Sequence, residues 1–380
     1  MPFSKLGLST PLINALALQK YDQAYPIQQE AIPAILKGKD VLGIAQTGSG
    51  KTASYVLPIV QLLQSTAASK NRHVAVLVLV PTRELAIQVN EVFSLFGSAL
   101  PVRKKNMAVY GGVSINPQMI QMQGAEILVA TPGRLIELVE SKAVQLSDVK
   151  ILVLDEADKM LNLGFKEEMD QIFSLLPKKR QNLLFSATLS EDVAHINEIL
   201  LRNPLVVKIK EEENSIDLIA QSAYAVSDER KGPLLRYLIK HRGMHQVLVF
   251  TSSVFRADSV AEKLWINDIK AEAIHSKKSQ GARNEALRKF KSGKLRVLVA
   301  TDLMARGIDI KFLPFVINYE LPRSPKDYIH RIGRTGRAES SGEAISLISP
   351  DEQHHFKIIQ KKMGKKVNVM ESADIDLKGY

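Results

Sequence analysis

Short apolar runs recur along this chain, each followed by glycine or polar residues and then a helical stretch, and this rhythm limits the fold more than any other feature. The first half holds runs at residues 74–80, 127–130, 151–154 and 183–185. The second half repeats them at 247–250, 297–300, 315–317 and 344–348. A strand with one face in water alternates apolar and polar residues, so a strand with no polar face must be covered on both sides. Covered strands interleaved with helices predict an α/β fold of mainly parallel sheets with helices on both faces. In such sheets ligands sit beyond the carboxyl ends of the strands, so chemistry is sought just after each run.

A chain of 380 residues is long for one ordinary domain and suits two. Residues 208–215 (Lys-Ile-Lys-Glu-Glu-Glu-Asn-Ser) are polar and short of core formers, and the strand rhythm resumes after them, so they read as a linker. Charge divides unevenly across that point. Residues 1–207 carry 20 Lys/Arg and 18 Asp/Glu, a net of +2, whereas residues 208–380 carry 31 and 22, a net of +9. The densest stretch, 277–296, sets eight basic residues against Glu285 alone. A polyanionic partner and a solvated helix face both account for it. With no cysteine the chain has no disulfide, thiolate metal site or cysteine nucleophile. Its apolar runs fall far short of the ~20 residues that span a bilayer, and the first residues lack a signal-peptide core, so a cytoplasmic protein is expected. Near the end, Phe356, Ile358, Ile359 and Met363 fall at roughly helical spacing in a Lys-rich stretch, which predicts a docked terminal helix followed by a few loose residues.

Two segments carry the first chemistry. Ala45-Gln46-Thr47-Gly48-Ser49-Gly50-Lys51-Thr52 is a phosphate-binding loop with Ala45 where the general pattern starts with Gly. Its glycines let backbone N–H groups turn inward, Lys51 offers a point charge to the β/γ-phosphates, and the Thr52 hydroxyl is a hard ligand for Mg²⁺. A helix starting there aims its positive end at the same anion. The apolar run 151–154 ends in Asp155-Glu156-Ala157-Asp158. Phosphoryl transfer to water needs one carboxylate to hold Mg²⁺ and another to orient the water, and Asp155 and Glu156 can divide these roles. An acidic strand exit alone is an ordinary helix start. The phosphate loop about a hundred residues upstream favours the paired reading.

The tetrapeptide Asp-Glu-Ala-Asp resembles the signature of the DEAD-box RNA helicases, and further motifs of that family match along nearly the whole chain. The resemblance implies two RecA-like domains that use ATP and Mg²⁺ and act on RNA. It divides the chain into an adenine-reading element (1–29), an ATP-binding domain (30–207), the linker (208–215), a C-terminal helicase domain (216–370) and a short tail (371–380). Phe3 would stack on adenine and Gln28 hydrogen-bond its edge, although Ala24-Tyr25 stands where Pro-Thr or Pro-Ser is common. Ser186-Ala187-Thr188, with Asp158 and His330, resembles the elements that couple the ATP and RNA sites. Pro81-Thr82-Arg83, Gly111-Gly112 and Thr131-Pro132-Gly133-Arg134 would line the RNA groove of the first domain. Thr251, Gln280, Arg283, Thr301 and Arg306 would line that of the second. Ser276 replaces the family's frequent Gly in the loop before Gln280. Asp309 would face the ATP ribose, and Arg334 and Arg337 of His330-Arg331-Ile332-Gly333-Arg334-Thr335-Gly336-Arg337 would reach the γ-phosphate across the cleft. Such groups contact phosphate and sugar, so little sequence preference is expected, with the 2′-hydroxyl selecting RNA. The subgroup most resembled is the bacterial RhlE type. The expected protein is a monomer that unwinds short RNA duplexes or remodels RNA–protein complexes, with ribosomal or RNA-decay proteins as candidate partners. An ATP-gated RNA clamp and a DNA helicase of the same superfamily remain the rival readings.

Overall fold

A computed structural model of the chain describes residues 1–46, 48–66, 71–209, 219–302, 313–335 and 342–380. Thr47, Arg306, Asp309, Arg337 and most of the expected linker (210–215) lie outside the described residues. The chain forms two compact units, Met1–Glu211 and Glu212–Tyr380.

The first unit is built on β1 (Val41–Ile44), β2 (Val76–Leu79), β3 (Asn106–Val109), β4 (Ile127–Ala130), β5 (Ile151–Leu154), β6 (Gln181–Ser186) and β7 (Leu205–Lys208). They form one sheet in the order β3-β4-β2-β5-β6-β1-β7, and every pairing is parallel. The second unit has β8 (Ala220–Ala225), β9 (Val247–Thr251), β10 (Ala271–Ile274), β11 (Val297–Thr301), β12 (Phe315–Asn318), β13 (Glu343–Ile348) and β14 (Asn368–Glu371). Their order is β10-β11-β9-β12-β13-β8-β14, again all parallel. Adding seven to each strand number turns the first order into the second, so one architecture is used twice. No tandem repeat is visible in the sequence, because what recurs is the patterning and not the residues.

The two-sided cover follows from the strands. Along β2, Val76 and Val78 enter one apolar core, with Val153 and Phe185, while Leu77 and Leu79 enter another, with Leu152 and Leu184. In the second unit Val247 and Val249 enter one core and Leu248 and Phe250 another. Each such fully buried side chain contributes roughly 1.5–3 kcal/mol over an exposed one, which is why runs of this composition settle between helical layers.

All eight expected runs fall on strands, two with the expected ends and the others with an end moved by one or two residues. Six strands carried too weak a signal. β1 contains Gly43, where an added Cβ would stand 2.5 Å from the Phe185 ring, so close packing demands a residue that reads as a strand breaker. β8 (Ala-Gln-Ser-Ala-Tyr-Ala) is only partly apolar, and β14 is a largely exposed edge. Within residues 1–29, expected to read adenine, Phe3, Leu6, Leu8, Leu12, Leu16 and Ile27 belong to the first unit's core. The helix Gln353–Met363 docks through Phe356 and Ile359 and ends at Gly364 with φ +72°, the left-handed geometry that favours glycine there. The expected loose tail is corrected. Glu371 is in β14, the Arg230 guanidinium donates to the carbonyls of Ser372 and Ile375, and Tyr380 meets Tyr237 edge-on at 5.2 Å. Isolated apolar residues such as Ile375 and Leu377 give no periodic signal, yet both pack on the core.

Candidate functional site

Sheet order sorts the candidate residues of the first unit. The phosphate loop follows β1, Asp155 and Glu156 follow β5, and Ser186 closes β6; these three strands are consecutive neighbours in the sheet. Arg83 follows β2, Gly111 and Gly112 follow β3, and Thr131–Arg134 follow β4, the three neighbours on the other side. One end of a single sheet thus carries nucleotide candidates on one half and nucleic-acid candidates on the other.

The loop between β1 and the helix Lys51–Leu62 needs its glycines. Gly48 and Gly50 have φ of +96° and +88°. A Cβ on Gly50 would come within 2.4 Å of Gln28 Nε2 and 2.9 Å of the Tyr25 ring. Lys51 is 6% exposed, and its Nζ donates to the Ala45 carbonyl at 2.6 Å. Burial lowers its pKa, opposed by the charges of Asp155, Glu156 and Asp158. Asp155 is buried and its carboxyl is raised to about 6: burial drives it up, Lys51 pulls it down, Glu156 adds to the rise and the Tyr55 hydrogen bond opposes it. Tyr55 donates to Asp155 Oδ2 at 2.8 Å. Burial and the Asp155 charge push the phenol well up, so it stays a donor. Glu156 occupies the left-handed region at φ +55° and is paired with Lys159 at 2.7 Å. For a non-glycine residue this is strained backbone of the kind that persists at functional sites. Asp158 accepts from the Thr188 hydroxyl at 3.2 Å, tying the acidic motif to Ser186-Ala187-Thr188. A buried cation, a turned backbone, a helix N-terminus and the hard oxygens of Thr52 and Asp155 fit a magnesium nucleotide.

The N-terminal pair is placed less simply. Gln28 is buried, donates from Nε2 to the Gly50 carbonyl at 3.1 Å and accepts from the Tyr25 N–H at 2.9 Å. Phe3 lies in the apolar core. Gln28 therefore has a loop to support as well as an expected base to read. Gln28→Ala is expected to weaken ATP binding more than GTP binding, by the roughly 0.5–1.5 kcal/mol of one hydrogen bond, about two- to twelvefold. Competition binding with both nucleotides measures this, and equal losses would confine the amide to the loop.

The nucleic-acid candidates meet one another too. A Cβ on Gly112 (φ +74°) would fall 2.0 Å from Arg83 Nη1, so this glycine makes room for that guanidinium. Arg134 is buried, donates from Nη2 to the Val113 carbonyl at 2.8 Å and pairs with Glu137, while its Nη1 has no partner among the described residues. Thr82 caps the helix Arg83–Gly97 by accepting from the Leu85 N–H at 3.3 Å.

In the second unit Thr251 ends β9, Thr301 ends β11, and Gln280 and Arg283 follow β10, again the consecutive neighbours β10-β11-β9. Arg283 and Gln280 are both buried and share a 2.5 Å hydrogen bond. Arg334 is largely buried after the helix Pro325–Ile332, on which His330 is exposed. Arg331 is where sequence reading fell short. The basic run suggests cations awaiting an outside anion, but Arg331 is 2% exposed and forks onto Asp302 at 2.5 and 2.8 Å. It also donates to Asn318 Oδ1 and the Glu320 carbonyl and lies 4.9 Å from the Phe250 ring centre. Its anion is internal. Tyr55 and Lys159, which meet Asp155 and Glu156, carry no motif of their own. Helical spacing puts Tyr55 three residues after Thr52 and four after Lys51, on one face, but nothing local announces Asp155 opposite. No described helix is long and apolar enough to cross a membrane.

Comparison with known proteins places these observations. The DEAD/DEAH box helicase model matches residues 25–196 and the helicase conserved C-terminal domain matches residues 230–339. The chain is 40% identical over 377 residues to a DEAD-box ATP-dependent RNA helicase CshA of Streptococcus pneumoniae, covering 99% of this chain and 71% of that one. It is 39% identical over 375 residues to CshA of Geobacillus kaustophilus, covering 98% and 79%. Among solved structures, S. cerevisiae Dbp5 bound to RNA and ADP BeF3 matches with a TM-score of 0.84 at 28% identity, covering 98% of this chain and 96% of that chain. A DEAD box protein from the hyperthermophile Methanococcus jannaschii matches at 0.55 and 36%, covering 97% and 99%. The chain belongs to the DEAD-box helicase family, and its two sheets are the two RecA-like domains of that fold. The CshA relatives do not test the narrower resemblance to the RhlE type.

Proposed function

We infer that this chain is an ATP-dependent RNA helicase, an ATPase stimulated by RNA that locally separates short duplexes or remodels RNA–protein complexes. The observation that carries the reading is the division of one strand-end surface into nucleotide residues after β1, β5 and β6 and phosphate-contacting residues after β2, β3 and β4. The CshA relatives are named as ATP-dependent RNA helicases, which supports it.

In the proposed mechanism the loop 45–52 holds the ATP phosphates, with Lys51 set against the β/γ-phosphates. Thr52 and Asp155 would hold Mg²⁺, which would supply neutralisation of charge on the transferring phosphoryl group. Glu156 orients water and takes its proton as the oxygen joins the γ-phosphorus and the bond to the β-phosphate oxygen breaks. Asp309 contacts the ribose, and Arg334 and Arg337 stabilise charge on the γ-phosphate. Arg83, Gly112, Arg134, Thr251, Gln280, Arg283, Thr301 and Arg306 track the RNA backbone. The Asp158–Thr188 hydrogen bond, with Ser186 and His330, supports coupling between the two sites. A cytoplasmic monomer working with ribosomal or RNA-decay proteins completes the proposal.

The test is strand separation of a short labelled RNA duplex and of its DNA counterpart, with and without ATP, beside steady-state ATPase. ATP-dependent separation of RNA and RNA-stimulated hydrolysis are expected. ATP-dependent retention of RNA without separation would turn the reading to a clamp, and preference for the DNA duplex would overturn it.

A further inference from the structure

The helix that follows the phosphate loop carries a buried phenol that the mechanism leaves without a task. Tyr55 is fully buried, its ring packed against Phe185 at 5.3 Å and Phe93 at 6.5 Å between centroids. Its hydroxyl donates to Asp155 Oδ2 at 2.8 Å across 100 residues of sequence. The Asp155 backbone is anchored too, its N–H donating to the Leu79 carbonyl at 3.0 Å. The phenol therefore touches a side chain that stands as a ligand for Mg²⁺.

We propose that Tyr55 is a positioning residue for the magnesium site, its hydroxyl fixing the Asp155 carboxylate before the cation arrives. This rests on the reading of Thr52 and Asp155 as the magnesium ligands. The physical reason is preorganisation. A carboxylate free to rotate must be ordered at binding, whereas one oxygen already held by a charge-assisted hydrogen bond leaves the other set toward the cation. Partners of this kind behind a metal ligand are typically worth about 10–100-fold in metal affinity or activity. The competing account is packing alone: a buried tyrosine needs some acceptor for its hydroxyl, and Asp155 is within reach. The two accounts separate at the phenol oxygen. Packing needs the ring, which phenylalanine supplies; positioning needs the hydroxyl.

The experiment uses the full chain and the non-hydrolysable β,γ-imido analogue of ATP, so that binding and not turnover is read. Affinity is measured across a Mg²⁺ titration and in excess chelator for wild type, Tyr55→Phe, Asp155→Asn and the double variant, with melting temperatures alongside. Tyr55→Phe is expected to raise the Mg²⁺ concentration at half-effect about tenfold, with chelated affinity and melting temperature close to wild type. Adding Tyr55→Phe to Asp155→Asn is expected to shift the curve little further, because the phenol acts through that carboxylate. A Tyr55→Phe curve superimposed on wild type, beside a shifted Asp155→Asn curve, would remove the role of Tyr55 alone. Equal losses with and without Mg²⁺ would leave the hydroxyl a packing partner and overturn the proposal. An unshifted curve for Asp155→Asn would remove the magnesium reading beneath it, and this proposal with it.

Discussion

Glu156→Gln is expected to bind ATP and RNA as the wild type does and to hydrolyse ATP about 10²–10⁴ times more slowly, the usual worth of a positioned general base. The substitution keeps shape and removes basicity. Glu156 stands just beyond β5 in left-handed backbone at φ +55°, held at 2.7 Å from Lys159. A glutamine carbonyl can still accept from that ammonium, and its backbone preference in this region is similar, so the loop has little cause to move. Phosphate binding is assigned to Lys51 and the loop, and those groups are untouched. The measurements are single-turnover hydrolysis with saturating RNA, nucleotide and RNA affinity, and a melting curve to confirm that the unit stays folded. Hydrolysis at the wild-type rate would take the base role away from Glu156. A matching loss of ATP affinity would instead make it part of the binding loop.

What the sequence disclosed of this site was local, and what it withheld was distant. The phosphate loop and Asp155-Glu156 are contiguous strings whose chemistry follows from residue type and order, and the structure places them after β1 and β5, the two strands that flank β6. The sheets were legible for the same reason: runs such as 151–154 are apolar on both faces, and only a covered strand satisfies them. β1 was not, because Gly43 is dictated by the Phe185 ring pressing on it from 142 positions away, a contact with no signature near residue 43. Arg331 belongs with it. In sequence it is one of several cations in a basic run, and only the fold brings Asp302, Asn318 and Glu320 to its fork. Gln28 shows a third kind of gap. Its amide was read for an adenine edge, while its observed partners are the Gly50 carbonyl and the Tyr25 N–H, a support role that residue type alone does not distinguish from base reading.

Arg334→Ala in the full chain is expected to lower RNA-stimulated hydrolysis by about 10³–10⁵, the range for an arginine that stabilises the transferring phosphoryl group, or roughly 4–7 kcal/mol of barrier. The argument starts from where the groups lie. Lys51, Thr52, Asp155 and Glu156 belong to Met1–Glu211, whereas Arg334 belongs to Glu212–Tyr380. If the first unit is assigned phosphate, metal and base, the remaining need is a cation that meets charge only as it develops on the γ-phosphate. Arg331 cannot fill it, since its fork is taken by Asp302. Arg334, three residues on, is the next guanidinium, and resemblance gives it that role. ATP binding should hold, because those contacts are in the other unit, and RNA binding should fall little, because Arg334 is outside the groove-lining set. Basal hydrolysis without RNA should change far less than the stimulated rate, since RNA is expected to favour the state in which the arginine acts. Arg334→Lys keeps the charge but loses the fork and should recover only part of the rate. Steady-state ATPase of both variants and wild type, each with and without saturating single-stranded RNA, decides the matter. Full RNA stimulation in Arg334→Ala would mean that catalysis draws no essential cation from this position, and the division of labour between the two units would have to be assigned to other residues.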